Sequence, residues 1–283
     1  MTVDSFRGID PRSYTELVRL ALAEDGRGCD VTTKATIAPE QRAKGIIRSK
    51  SECVLAGLDV ALETFEQVDP GVVVTRLHED GDWCCALEVV ACVEGSAAGL
   101  LSAERTALNF VQRLSGIATL THRFVAAVDG RTRILDTRKT TPTLRSLEKY
   151  AVRAGGGENH RFALDDGVLI KDNHVRVVGS ISLAVAKARS FNHNLEVVVE
   201  VSSLEELNDA IEAGASRVLL DNFSIDDCGR AIVTYRDRVK IEVSGGVTLD
   251  NVEAIAALGP DYISIGALTH SAPAIDISFD VSV

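Results

Sequence analysis

The sequence predicts an α/β protein in which a small α+β unit precedes a parallel sheet covered by helices and closed as a barrel. Three observations carry that expectation. After about residue 100, short apolar runs of strand length alternate with stretches of helical periodicity. The runs are near-continuously hydrophobic, as strands buried on both faces must be. Finally, strand and helix repeat six times without a G-x-G-x-x-G turn, which favours a barrel over a doubly wound sheet.

The elements follow in order. Apolar Leu17, Val18, Leu20, Ala21 and Leu22 recur at helical spacing between Tyr14 and Glu24, and the next fifteen residues are turn-rich, so a helix and then a loop are expected. Ala43 to Lys50, Val72 to His78 and Leu87 to Gly95 read as strands, with a helix from Leu58 to Gln67 and a turn at Glu79–Asp82 between them. Ser102 stands before an apolar-periodic stretch through Leu108, Val111, Leu114 and Ile117, which predicts an N-cap and sets a domain boundary just ahead of it, giving residues 1–101 and 102–270. Strands are then expected at Arg133–Asp136, Val168–Lys171, Leu195–Val201, Arg217–Asp221, Val239–Ser244 and Tyr262–Gly266. The helices between them are Pro142–Ala154, Ile181–Ser190, Leu204–Ala213, Ile225–Tyr235 and Leu249–Leu258. For the first of these, Thr141 is the expected N-cap, Pro142 the first helical residue and Gly155 the stop.

Charge narrows the partners. The chain carries a formal net charge of -11, yet between Arg131 and His174 nine Lys/Arg face six Asp/Glu. Cations gathered in one place on an acidic chain suit a small, multiply anionic ligand. Nucleic acid would call for a broad basic face and a high pI, whereas the pI is about 5.1. No apolar run approaches the roughly 20 residues that cross a bilayer, and the opening decapeptide mixes charges where a signal peptide has an apolar stretch, so a cytoplasmic protein without membrane association is expected. The six cysteines, at 29, 53, 84, 85, 92 and 228, form no C-x-x-C and no zinc spacing with histidine, and read as reduced core or surface thiols.

The predicted strands end on chemistry. Asp136 leads into Arg138 and Lys139; then come Lys171, Glu200, Asp221, Ser244 with Gly245 and Gly246, and Gly266 with Ala267. In a β/α barrel these ends converge on one face. Arg138 and Lys139, which alone would read as a solvated turn, form with Arg161, His160 and Lys171 an expected anion site, because arginine forks match carboxylate or phosphate oxygens in pairs. Glu200 and Asp221 are placed to hold Mg²⁺ shared with a polyphosphate, or to face a developing positive centre; the structural alternative is an ion pair with Lys171 or Lys139. The glycine turns at Ser244–Gly246 and Gly266–Ala267 offer backbone N–H groups to phosphate. Gly155–Gly157 reads equally as a helix stop or as a close backbone approach to a ligand, and His174 equally as a structural residue or a ligand contact.

Together, Leu135-Asp-Thr-Arg-Lys-Thr-Thr-Pro142, Leu147-Glu-Lys-Tyr-Ala-Val-Arg-Ala-Gly-Gly-Gly157, Asn159-His-Arg161, Leu169-Ile-Lys-Asp-Asn-His174, Leu219-Leu-Asp-Asn222, Glu242-Val-Ser-Gly-Gly246 and Ile263-Ser-Ile-Gly-Ala-Leu-Thr-His-Ser271 resemble the quinolinate phosphoribosyltransferase family, along essentially the whole chain. The resemblance implies an N-terminal α/β sandwich, an incomplete six-stranded β/α barrel and a homodimer whose active sites are completed across the interface, with the tail 271–283 packing back on the first domain. It implies that Arg138, Arg161, His160, Lys139 and Lys171 bind the quinolinate carboxylates, with Arg105 supplied by the partner subunit. It further implies that Glu200 and Asp221 serve the ribose and Mg²⁺ end of phosphoribosyl pyrophosphate, that Ser244–Gly246 and Gly266–Ala267 lie near the phosphates with His270 close by, and that no organic cofactor is needed. Lys139, Lys171, Glu200 and Asp221 are the expected catalytic residues. Two positions depart from the family pattern: Thr143 replaces a usual glycine, expected to be benign, and Val198 stands where a second strand glutamate is frequent, which leaves more to Glu200. Paralogues acting on another anionic metabolite and a non-catalytic sensor of a phosphorylated ligand remain the competing readings.

Overall fold

The structure, a computed structural model, describes residues 8–26, 30–192 and 195–283; Cys29 lies outside them. Two compact units are present: residues 1–122, 140–156 and 268–283 form the first, and residues 123–139 and 157–267 the second.

Alternation builds the first unit. Strand β1 (Arg42–Ser49) turns Ala43, Gly45, Ile47 and Ser49 inward and leaves Arg42 and Lys44 in water. A short pair, β2 (Cys53–Val54) and β4 (Trp83–Cys84), brackets β3 (Val73–Arg76) along the sequence, and β5 (Val89–Ser96) follows. The helix Leu58–Val68 lays Leu58, Ala61, Leu62 and Phe65 on the core shared with Leu100, Ala103, Ala107 and Val111 of a 32-residue helix, Ala97–Val128. Gly45 allows that packing, since a Cβ there would lie 1.9 Å from the Phe279 ring.

The second unit is the barrel. Strands β6 (Arg133–Leu135), β7 (Val168–Ile170), β8 (Val197–Val201), β9 (Arg217–Asp221), β10 (Lys240–Ser244) and β11 (Tyr262–Ser264) lie in the order β6-β11-β10-β9-β8-β7, all parallel. With β6 and β7 at its two edges, the barrel is incomplete. The tail strand β12 (Ile277–Ser282) belongs to the first unit, pairing antiparallel with β1 in a sheet of order β12-β1-β5-β3.

Several expectations need correction. Ser102 is no cap, because the long helix begins at Ala97 and Ser102 lies inside it. The turn-rich stretch after Glu24 contains a helix, Val31–Thr36, whose N-cap Asp30 accepts from the Thr33 amide at 2.9 Å. The helix expected from Pro142 starts at Arg145, after the cap residue Leu144, because Thr143 adopts a left-handed φ of 68° that no α-helix accommodates. Thr141 instead donates its hydroxyl to Glu148 at 2.8 Å. A short helix, Asp172–Val178, follows β7 without having been expected, and the last barrel helix is only Val252–Ala257. Gly155 does cap its helix, and the close approach it permits is to the long helix: a Cβ would meet the Ala118 carbonyl oxygen at 2.2 Å.

Candidate active site

Polar residues at the C-terminal ends of the barrel strands surround a cavity of about 540 Å³. Parallel register puts them in two layers: Ser244 of β10 is level with Asp221 of β9 and with Ser264 of β11, while Glu200 of β8 is level with Leu219, as is Glu242, two residues deeper. Ten of the expected residues line this one space: Arg138, Lys139, His160, Arg161, Lys171, Glu200, Asp221, Ser244, Gly245 and Gly246.

The cationic side is assembled by a buried carboxylate. Asp136, fully buried beyond the end of β6, accepts from the His160 amide at 2.9 Å and from Asn159 Nδ2 at 2.6 Å. Residues 158 and 135 also bridge as parallel strands, so the segment carrying His160 and Arg161 is held beside the one carrying Arg138. Arg161 donates from one terminal nitrogen to the Gly167 carbonyl at 2.8 Å. The Nε atoms of both Arg138 and Arg161 are buried and have no hydrogen-bond partner among the described residues. Burial, and then the neighbouring Arg138 charge, pull the Arg161 guanidinium below its usual range. Two like charges with unused Nε donors in one cavity have the chemistry that suits an anion, since an unpaired buried donor is costly until something accepts from it.

His160 is oriented from both sides. Its Nδ1 accepts from the Arg161 amide at 2.8 Å, which leaves Nε2 as the hydrogen-bearing nitrogen, 3.5 Å from the Glu242 carboxylate. Glu242 is fully buried on β10, held also by the Ser264 hydroxyl and by Arg217 at 3.5 Å. Burial pushes its carboxyl up, but the hydrogen bond and charge of His160, with Ser264 and Arg217, outweigh this and hold it below the usual carboxylate range.

The anionic side faces these cations. Lys171 Nζ and Glu200 form a close ion pair, so the structural role weighed for Glu200 is present alongside its place in the cavity wall. The Lys171 amide donates to His174 Nδ1 at 3.0 Å, which makes His174 a cap for the helix that starts at Asp172 and not a wall of the cavity. Asp221 accepts from Asn222 Nδ2 at 3.0 Å. Asn222, itself left-handed at φ 57°, packs so tightly on Gly245 that a Cβ there would meet its Oδ1 at 2.2 Å. Gly245 and Gly246, at φ 91° and 61°, thereby open the loop after β10 in a form that side chains resist.

Four expected residues are not among the lining residues. Gly266 and Ala267 follow β11 without lining the cavity. Arg105 and His270 belong to the first unit: Arg105 is exposed, 3.7 Å from Glu104, and His270 Nδ1 lies 2.6 Å from Ser271 Oγ. Val198 is buried and lines, with Arg217 and Tyr262, a neighbouring cavity of about 350 Å³ that shares His160 and Arg161 with the first. Conversely, Thr137, Asn222, Glu242 and Ser264 line the active cavity without having been assigned a role. For Glu242 the signal was legible, since a glutamate two residues before Ser244 in an apolar strand shares its face.

Known proteins resemble the chain throughout its length. Residues 30–115 match the N-terminal domain, and 117–280 the C-terminal domain, of quinolinate phosphoribosyl transferase. A probable carboxylating nicotinate-nucleotide pyrophosphorylase of Bacillus subtilis is 46% identical over 253 residues, covering 89% of this chain and 88% of that protein. The corresponding Mycobacterium leprae protein is 44% identical over 274 residues, covering 94% of this chain and 96% of its own. The nicotinate-nucleotide pyrophosphorylase structure from Francisella tularensis superposes with a TM-score of 0.94 at 41% identity, over 99% of this chain and 100% of that one. Both domains, the barrel and the cluster of cations at its strand ends thus lead to one assignment: the chain belongs to the quinolinate phosphoribosyltransferase family.

Proposed function

We propose that the protein transfers the phosphoribosyl group of phosphoribosyl pyrophosphate to quinolinate with decarboxylation, giving nicotinate mononucleotide, CO₂ and pyrophosphate for NAD synthesis. The observation that carries this reading is the pairing, in one cavity, of two guanidinium groups that each keep a buried, unpaired Nε donor with two inward carboxylates. A dicarboxylate fits the first and a cationic sugar the second.

Arg138, Arg161, His160, Lys139 and Lys171 hold the two carboxylates of the pyridine and set its nitrogen toward the sugar. As the nitrogen attacks C1 and pyrophosphate leaves, positive charge develops on the ribose, and Glu200 and Asp221 stabilise it. Lys139 and Lys171 neutralise the departing polyanion, with the Ser244–Gly246 turn and the Gly266–Ala267 backbone near the phosphates. The oxygen donors of Glu200 and Asp221, at the ends of adjacent strands, suit Mg²⁺ and would hold it; bound with phosphoribosyl pyrophosphate, the ion would supply charge neutralisation. In the second step the quaternised ring nitrogen is the electron sink, so the side chains have only to orient the ring and avoid over-stabilising the carboxylate that leaves. No nucleophilic side chain or organic cofactor takes part. Arg105 from a second copy completes the site in a homodimer, with His270 near the phosphates. No described helix is long and apolar enough to cross a membrane, in keeping with a cytoplasmic enzyme.

Incubation with quinolinate, phosphoribosyl pyrophosphate and Mg²⁺ tests the reading. Equal amounts of CO₂ and nicotinate mononucleotide are expected. Product formed from nicotinate, with no CO₂ from quinolinate, would overturn it.

A further inference from the structure

The first unit holds a second set of chemically capable side chains that the transferase reaction does not use. His78, Cys84 and Glu88 each offer one ligand atom, and these atoms lie within 4.8 Å of one another. They come from one stretch of chain, with five residues between the histidine and the cysteine and three between the cysteine and the glutamate. His78 follows β3, Cys84 ends β4 and Glu88 precedes β5. We propose that this loop is a metal site for a zinc-type divalent cation, bound through Cys84 Sγ, a His78 ring nitrogen and a Glu88 carboxylate oxygen, with a fourth position open to solvent.

The loop is already organised for it. The Leu77 and His78 amides both donate to the Val90 carbonyl, at 3.0 and 3.3 Å, and the Leu87 amide donates to the Ser49 carbonyl at 2.8 Å. Glu88 accepts from the Cys85 amide at 2.7 Å through one oxygen, while its other lies 3.2 Å from His78 Nε2. Closing the three atoms onto an ion with bonds of about 2.0–2.3 Å requires shifts of only about 1 Å. Cys84 is fully buried in the core of this unit, whereas His78 and Glu88 are partly exposed, so the ion would have a closed side and an open one.

Donor chemistry sets the class of ion. Sulfur, imidazole nitrogen and one carboxylate suit zinc or cobalt, while Mg²⁺ prefers oxygen throughout. Binding forms the metal–sulfur bond, and the proton of the Cys84 thiol passes to solvent. Cys53 sits directly opposite Cys84 in the β2–β4 pair, and its thiol also touches Ser49 Oγ at 3.3 Å. A second sulfur beside the metal-bound one would support it as an outer partner.

The test is a titration of the reduced full-length chain with Co²⁺ and then Zn²⁺ in excess Mg²⁺. One equivalent is expected to bind, with a near-ultraviolet thiolate-to-cobalt charge-transfer band that zinc abolishes and a melting temperature raised by zinc. Cys84→Ser should remove the band, and His78→Ala should weaken zinc binding at least tenfold; Cys228→Ser, at a buried thiol on the helix Ile225–Tyr235, should bind as wild type. Should Cys84→Ser fail to fold, His78→Ala and Glu88→Gln, at partly exposed positions, decide the matter alone. The absence of a sulfur–cobalt band at saturation, or unchanged zinc affinity in both His78→Ala and Glu88→Gln, would overturn the proposal.

Discussion

Two guanidinium groups in one cavity repel one another, and the backbone holds Arg138 and Arg161 there: Asp136 accepts from the His160 amide and residues 135 and 158 bridge. A bound carboxylate relieves that repulsion. Each charge-assisted contact is worth roughly 1.5–3 kcal/mol, so Arg138→Ala and Arg161→Ala should each raise the quinolinate KM by about tenfold or more; unchanged Michaelis constants in both variants would refute the placement. Glu242 gives a pH prediction. Its folded carboxyl titrates below its unfolded value, so its contribution to stability is complete above the unfolded value near 4.5 and is lost as pH falls through the lowered folded one. Melting temperature followed from pH 7 into that acid range should fall less steeply in Glu242→Gln than in wild type. Thr143, expected to be benign, is a β-branched residue at φ 68°, a conformation that costs about 1–3 kcal/mol. Thr143→Gly should therefore raise the denaturant midpoint, by an amount corresponding to about 1 kcal/mol after glycine's larger unfolded-state entropy is set against the relief.

Among the elements, the helix Arg145–Ala154 shows best how local and tertiary signals divide. Its stop at Gly155 was legible because glycine punctuates helix ends wherever they occur. Its start was not, because the cap pattern at Thr141-Pro142 competes with Glu148, a fully buried carboxylate that accepts from the Thr141 amide at 3.0 Å, from the Thr141 hydroxyl and from Arg113. Arg113 comes from the long helix, far away in sequence. Removing the carboxylate strands both Thr141 donors and leaves Arg113 on the Thr269 and Ala272 carbonyls without the Glu148 counter-charge, so Glu148→Ala should lower the free energy of unfolding by about 3 kcal/mol or more, measured by urea denaturation. The barrel strands were readable to within a residue or two, since strands buried on both faces carry an unbroken apolar signal. The two-residue strands β2 and β4 were not, because a pair that short has no period to detect.

At the scale of the whole molecule, the homodimer proposal has its own test. Arg105 is exposed and, among the described residues, pairs only with Glu104 at 3.7 Å, so Arg105→Ala should leave the fold and dimer intact while abolishing activity. Mixing it with Lys171→Ala, under conditions where subunits exchange, should restore activity through dimers that contain one unmutated site; no recovery would remove the shared-site idea. The sequence by itself determined the strand-and-helix alternation, the gathering of cations between Arg131 and His174 and the motifs that carry the family, because each is written in neighbouring residues or in a short repeating period. Tertiary structure alone decided that Glu242 orients His160 and that His78, Cys84 and Glu88 meet. It also decided that Ile277–Ser282 pairs with β1, more than two hundred residues earlier. Such contacts depend on register and chain reversal, and no local pattern of side chains encodes the distance between atoms that the fold brings together.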